Sequence, residues 1–196
     1  MLKKDLLKEI ATISAGNASK ALSALVNRQV KVEVPEVFEI KTGKLVKMVK
    51  DQGAVFTVVS LKIVGDLDGG ILLFLSPEDA KKLSHLLGES SQRLDIDVAF
   101  ENDALKEVGN MISGSALNAL SQFLGINALQ SIPTIDPQNF TIENEGEQML
   151  VFKINLSVVE LNLNTEMLFV FDENSTARIE KFVMEKIKVE NLLKKG

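Results

Sequence analysis

The chain has 196 residues, 45% hydrophobic and 25% charged, with a net charge of −5 and a pI of about 5.1. Those values suit a globular chain with a real core, and the acidic balance, with Phe as the only aromatic, excludes a basic, aromatic-studded nucleic-acid surface. Cysteine is absent, which excludes disulfides, thiolate nucleophiles and thiolate-bound metals.

The chain opens with "MLKKDLLKEIATISAG", which is no signal peptide because Asp5, Lys8 and Glu9 interrupt any apolar segment. Its apolar spacing predicts an amphipathic helix instead. The strand-like "QVKVEVPEVFEI" follows. Two strands, "AVFTVVSLKIVG" and "GILLFLS", are then joined by the turn "DLDG", too short for a parallel crossover. A second helix opens at Ser76-Pro77-Glu78-Asp79, with an N-cap serine, proline at the first helical position and acids in the first turn. The polar, acidic connection "GESSQRLDIDVAFEN" comes next. Apolar runs such as "GILLFL" and "MLFVF" have strand length and cannot span a bilayer. A cytoplasmic chain without membrane insertion is expected.

Beyond the connection, "LKEVGNMISGSALNAL" has the apolar spacing of a helix in Leu105, Val108, Ile112, Ala116, Ala119 and Leu120. It also holds Gly109, Asn110, Gly114 and Asn118, and each glycine costs about 1 kcal/mol relative to alanine in a helix interior. "ALQSIPTIDP" and two further strands follow, "EQMLVFKINLSVVEL" and "EMLFVFD", joined by "NLNT". A closing helix around Ser175 to Leu193 carries Ile179, Phe182, Val183 and Ile187 on one side.

These elements recur. Shifting the chain by 98 residues lays Asp5–Pro35 on Asp103–Pro133 without a gap, with ten of the 31 paired positions identical. The expected fold is α/β (α+β) with a pseudo-two-fold internal repeat. Each half runs helix–strands–helix, about 1–88 and 100–196, in a single domain, and the helices cover a largely antiparallel sheet.

Opposite the apolar face lies a line of polar and small residues: Asp103, Glu107, Asn110, Gly114, Asn118 and Ser121. Its counterpart is Asp5, Glu9, Thr12, Gly16, Lys20 and Ser23. A merely solvated face rarely selects Gly and Asn in mid-helix, and here the choice recurs. A carboxylate can pin a cationic group, and a carboxamide one turn on can both donate to and accept from a water. Small neighbours keep the surface low enough for another protein to approach.

Asp103-x3-Glu107-x2-Asn110, with 22 residues before Pro133, resembles the signature of the CheC/CheX/FliY chemotaxis phosphatases. Asp5-x3-Glu9-x2-Thr12, with 22 residues before Pro35, keeps the frame, and "AGNASKALS" resembles that family's N-terminal repeat. The two-copy length is similar to the CheC type. The resemblance implies hydrolysis of the aspartyl phosphate on the response regulator CheY. Glu107 would dock on a lysine of CheY and Asn110 would position the attacking water. Mg²⁺ would be held by CheY, with no metal or cofactor on this chain. It also implies CheD as a second partner, and the internal pairing favours a monomer. Thr12 departs from the pattern, because a hydroxyl lacks the paired donor and acceptor of a carboxamide. One competent site (Glu107, Asn110) and one degenerate site (Glu9, Thr12) are therefore expected, framed by Asp103, Gly114 and Pro133 and by Asp5, Gly16 and Pro35.

Other residues suggest less. His85 is the only histidine, which makes a conventional zinc site improbable and leaves Ser14, Ser113 and Ser115 without a base. "GDLDGG" lacks the spacing of a calcium loop and reads as a hairpin turn.

Overall fold

A computed structural model describes residues 3–90, 97–135 and 146–193. Helix α1 (Lys3–Val26) leads into strands β1 (Lys31–Val32) and β2 (Glu36–Lys41), helix α2 (Thr42–Gly53), the hairpin β3 (Thr57–Gly65) and β4 (Gly69–Leu75), and helix α3 (Pro77–Ser90). Helix α4 (Val98–Leu124), strand β5 (Ala128–Gln130), the hairpin β6 (Gln148–Val158) and β7 (Leu163–Phe171) and helix α5 (Glu173–Leu193) complete the described chain. Residues 91–96 of the acidic connection and the end of "ALQSIPTIDP" lie outside the described residues.

The sheet runs β1-β6-β7-β4-β3-β5 with β2 also on β6, and every named pairing is antiparallel, as expected. Its connectivity goes beyond the sequence reading. The strands after α1 pair with β6, more than 100 residues later, whereas β5, after α4, pairs back with β3. Each long helix thus hands its following strand to the hairpin of the other half. The hairpins meet at the centre through β4 and β7, where Leu72 stands opposite Leu168.

Alternate residues of the central strands enter two cores. Ile71, Leu73, Leu75, Met167, Phe169 and Phe171 pack with α1, α3, α4 and α5, while Leu72, Phe74, Leu168 and Val170 pack with Leu45 and Val49 of α2. Burial on both faces explains why "GILLFL" and "MLFVF" are continuous apolar runs rather than alternating ones. Helix α2 is missing from the sequence reading. Its buried stripe is short (Thr42, Leu45, Val49), and Lys41 at its start makes no side-chain cap bond.

The second hairpin turns earlier than "NLNT" suggests. A 3-10 turn at Val159–Leu161 ends at Asn162 with φ +45°, so Leu163, Asn164 and Thr165 already belong to β7. Asparagine tolerates this left-handed conformation, and Leu163 is fully buried. Helix α3 begins as expected, with Ser76 Oγ accepting from the Asp79 N–H at 3.1 Å.

Both segments that follow the long helices bulge at proline. Lys62 faces Ser131 and Ser60 faces Thr134, so Ile132 and Pro133 together stand against Leu61. Likewise Glu33 bonds Asn155 and Glu36 faces Lys153, so Val34 and Pro35 stand against Ile154. Proline has no N–H for the ladder and suits a bulge, which also re-aims its neighbour's side chain. Both prolines are buried, while Ile132 and Val34 project at 85% and 79% exposure.

Candidate active site

Helix α4 buries Leu105, Val108, Ile112, Ala116 and Leu120 and exposes Asp103, Glu107, Asn110 and Asn118. Its N-cap, Asp97, accepts from the Phe100 N–H at 2.8 Å, and its C-cap, Gly125, is left-handed with φ +66°. Ser121 departs from the expected polar line: it is buried. The glycines also play different parts from the shared low surface expected of them. Gly109 faces inward, where a Cβ would come 2.7 Å from Val59 Cγ1, so its absence lets helix and strand approach. Gly114 lies under the side chain of Gln130, whose Nε2 would be 3.1 Å from a Cβ there.

Asp103, Lys106, Glu107, Asn110, Gln130, Ser131, Ile132 and Pro133 line an open hollow of about 370 Å³ between α4 and the bulge after β5. Lys106 pairs with Asp103 at 3.5 Å, whereas Glu107 has no ion-pair partner among the described residues. Gln130 Nε2 donates to the Asn110 backbone carbonyl at 2.8 Å and to Asn110 Oδ1 at 2.6 Å. The hollow therefore presents an available carboxylate and, one helical turn away, a carboxamide held at its oxygen. That arrangement can grip a cation and orient a water, and the hydroxyl in its lining is engaged: Ser131 Oγ accepts from the Lys62 N–H at 2.9 Å and donates to the Ile132 carbonyl at 3.1 Å. Ser14 and Ser113 are buried, the Ser115 hydroxyl donates to the Asn17 carbonyl at 3.1 Å, and His85 lies exposed on α3. Among the described residues no cluster of three or more His, Asp or Glu can hold a metal, and no helix is long and apolar enough to cross a membrane.

The counterpart on α1 differs. Glu9 and Thr12 are both exposed, yet the Thr12 hydroxyl donates to the Lys8 carbonyl of its own helix at 2.7 Å. Apart from its own helix's backbone and its chain neighbours, no heavy atom of the described residues would lie within 4 Å of a Cβ at Gly16. Asp5 is exposed and Pro35 is buried in its bulge. Sequence reasoning passed over Gln130 and Ile132. The 98-residue offset carried a signal for the first, since Gln130 falls on Val32 just as Asn110 falls on Thr12.

The family model described as "Chemotaxis phosphatase CheX" matches residues 57–155, half of the chain, and a CheC-like family model matches residues 2–39. The chain belongs to the CheC/CheX/FliY family of chemotaxis phosphatases. Among members of this family, it is 28% identical to the CheY-P phosphatase CheC of Bacillus subtilis over 148 residues, covering 72% of this chain and 70% of that one. It is 24% identical over 168 residues to the flagellar motor switch phosphatase FliY of the same organism, covering 82% of this chain but 44% of that longer protein. Among solved structures, Thermotoga maritima FliY superposes with a TM-score of 0.73 at 23% identity, covering 94% of this chain and 96% of that one. CheX of Borrelia burgdorferi, solved as a CheX–CheY–BeF3–Mg2+ complex, superposes with a TM-score of 0.55 at 19% identity, covering 83% and 97%.

Proposed function

We propose that this chain hydrolyses the aspartyl phosphate of a CheY-class response regulator, with Glu107 gripping a lysine of that partner and Asn110 orienting the attacking water. The observation that carries this reading is the pair itself: an exposed carboxylate with no ion-pair partner among the described residues and an exposed carboxamide one turn on along the same helix, facing an open hollow. Water forms the new O–P bond as the bond between phosphorus and the aspartyl oxygen breaks. The partner regains its carboxylate, and the water's proton leaves with phosphate or solvent. Phosphoryl transfer of this kind is dominated by positioning and charge stabilisation, so this chain needs no nucleophile. Mg2+ belongs with the acidic pocket of the partner. Ile132, projecting beside the hollow, supplies an apolar contact for docking.

The test is the decay of phosphorylated CheY in saturating Mg2+. The wild-type chain should accelerate it, and Asn110→Ala should lower kcat by about 10²–10³, comparable to removing one transition-state hydrogen-bond donor elsewhere. Full activity in Asn110→Ala would sink the assignment.

A second reading, a regulatory module that binds a partner such as CheD, draws on α1. There Thr12 is bonded to its own helix, while Val34 is exposed in the bulge that follows β1. Turnover by the isolated chain that CheD neither alters nor binds would count against it. The proposal also takes the chain as one domain of two repeats, about 1–88 and 100–196, acting as a monomer. Supporting this are the left-handed helix ends at Asn27 and Gly125 and the Ser115–Asn17 bond, each joining positions 98 apart, and the matching bulges. Sedimentation at the mass of one chain is the expected outcome.

A further inference from the structure

The carboxamide of an exposed asparagine on a helix ordinarily samples several rotamers and both amide orientations. That mobility suits a solvated residue and poorly suits one that must hold a water in line with phosphorus, where a misplacement of about 1 Å can cost a hundredfold in rate. Asn110 is not left in that state. The backbone carbonyl of Asn110 can only accept, so the Gln130 group that bonds it at 2.8 Å must be the NH2 end. The same NH2 reaches the Asn110 side chain at 2.6 Å, and that contact selects Asn110 Oδ1 as the atom facing it. One glutamine amide, by bridging the backbone and side-chain oxygens of a single residue, sets both the rotamer and the amide orientation of Asn110. Its NH2 and the second lone pair of Oδ1 are left for a water. The clamp has a seat of its own: the Gln130 amide lies over Gly114, with its three outer atoms 3.1–3.5 Å from where a Cβ would be, and its Oε1 is buried without a hydrogen-bond partner among the described residues.

The degenerate half supplies an internal control. Counting 98 residues back, Asn110 becomes Thr12, Gln130 becomes Val32, and Gly114 remains glycine as Gly16, with empty space around it. Val32 faces Leu156 as Gln130 faces Ile63, each two residues before a bulge, so the two occupy corresponding places in the ladder. The half that lacks the carboxamide also lacks the amide that would hold it, and the glycine seat stands empty.

We infer that Gln130 is a positioning residue of the phosphatase site, fixing Asn110 through a two-point hydrogen bond that Gly114 makes room for. The inference rests on the proposed hydrolysis at Glu107 and Asn110. It further implies that restoring asparagine at position 12 is not enough to rebuild the first site; Thr12→Asn needs Val32→Gln beside it.

Gln130→Met keeps the volume and removes the donor. With phosphorylated CheY as substrate, kcat should fall about ten- to a hundredfold, with KM within about twofold of wild type and the thermal midpoint held. Independently of any substrate, side-chain ¹⁵N relaxation should show the Asn110 NH2 becoming mobile in Gln130→Met. In an Asn110→Ala background, Thr12→Asn/Val32→Gln should restore more turnover than Thr12→Asn alone. An unchanged kcat in Gln130→Met, or an Asn110 amide as ordered there as in wild type, overturns the clamp while the hydrolysis reading stands. Wild-type turnover by Asn110→Ala removes the hydrolysis reading instead, and the relaxation measurement still decides whether the clamp exists.

Discussion

At the scale of single residues, the proposed function separates recognition from chemistry. On that reading Glu107 and Ile132 face the partner, and neither is needed to orient water, so their loss belongs in KM. Ile132→Asp should raise KM for phosphorylated CheY about tenfold or more, by losing an apolar contact and burying a charge at the interface; steady-state kinetics would show kcat preserved. Gly109 belongs to stability instead. Its Cβ would collide with Val59 Cγ1 at 2.7 Å, so Gly109→Ala should destabilise by about 1–3 kcal/mol despite alanine's better helix propensity. Urea denaturation decides the sign, and a net gain in stability would mean that Val59 yields freely. Asp103, Glu107, Asn110 and Thr12 could be named from spacing because a helix places residues three and four apart on one face. Gln130 could not, since its role depends on a strand 20 residues away folding back over Gly114. The glycine pattern itself was visible while its reasons were not: one glycine serves the sheet beneath and the other seats a side chain above.

At the scale of elements, the placing of β5 decides the site, because Gln130 ends it. The turn between β3 and β4 fastens it there. Asp66 Oδ2 accepts from the Asn127 N–H at 2.9 Å, the Asp66 N–H donates to the Asn127 carbonyl at 2.8 Å, and Arg178 of α5 reaches Asp66 Oδ1 at 3.1 Å. Gly65 beside it has φ +115°, and a Cβ there would fall 2.5 Å from the Asn127 carbonyl oxygen, so glycine is needed for this approach. The Asn127 hydrogen bond first, then Arg178, holds the Asp66 carboxyl below its ordinary value of 3.8. A lowered folded-state pKa stabilises the fold above the unfolded value, and that stabilisation is lost as pH falls through the folded value. Wild type should therefore lose stability on acidification below about pH 4 more steeply than Asp66→Asn. Thermal midpoints taken between pH 2.5 and 6 would expose parallel curves if this tether is irrelevant. Such tethers have little sequence signature, because "DLDG" reads only as a turn. The hairpins and long helices were legible from apolar periodicity. Helix α2, with its short stripe and weak start, was not, and neither was the exchange of strands, since antiparallel patterning does not name a partner.

At the scale of the whole molecule, the exchange makes the halves interdependent. The β2–β6 and β3–β5 pairings both join segments on opposite sides of the acidic connection, and α1 packs along α4. Residues 1–96 and 97–196, made as separate chains, should each lack a cooperative unfolding transition and regain one when mixed. Circular dichroism melts of the separate and combined chains would show this, and two independent sharp transitions would contradict it. One half can then lose its chemistry without loosening the other, because its strands still complete the shared sheet. On the proposed function, this accounts for a first half that keeps Asp5, Glu9 and Gly16 while Thr12 and Val32 take no part in catalysis.

The same exchange sets a clock on synthesis. Glu36 pairs with Lys153, so β2 must wait for 117 more residues before its partner strand exists. At roughly 5–20 residues per second, that is about 6 to 23 s during which α1 and β2 stand on the ribosome with apolar surface uncovered. A nascent chain stalled near residue 130 should be bound by chaperones and cut readily by protease, and one released after β7 should be neither.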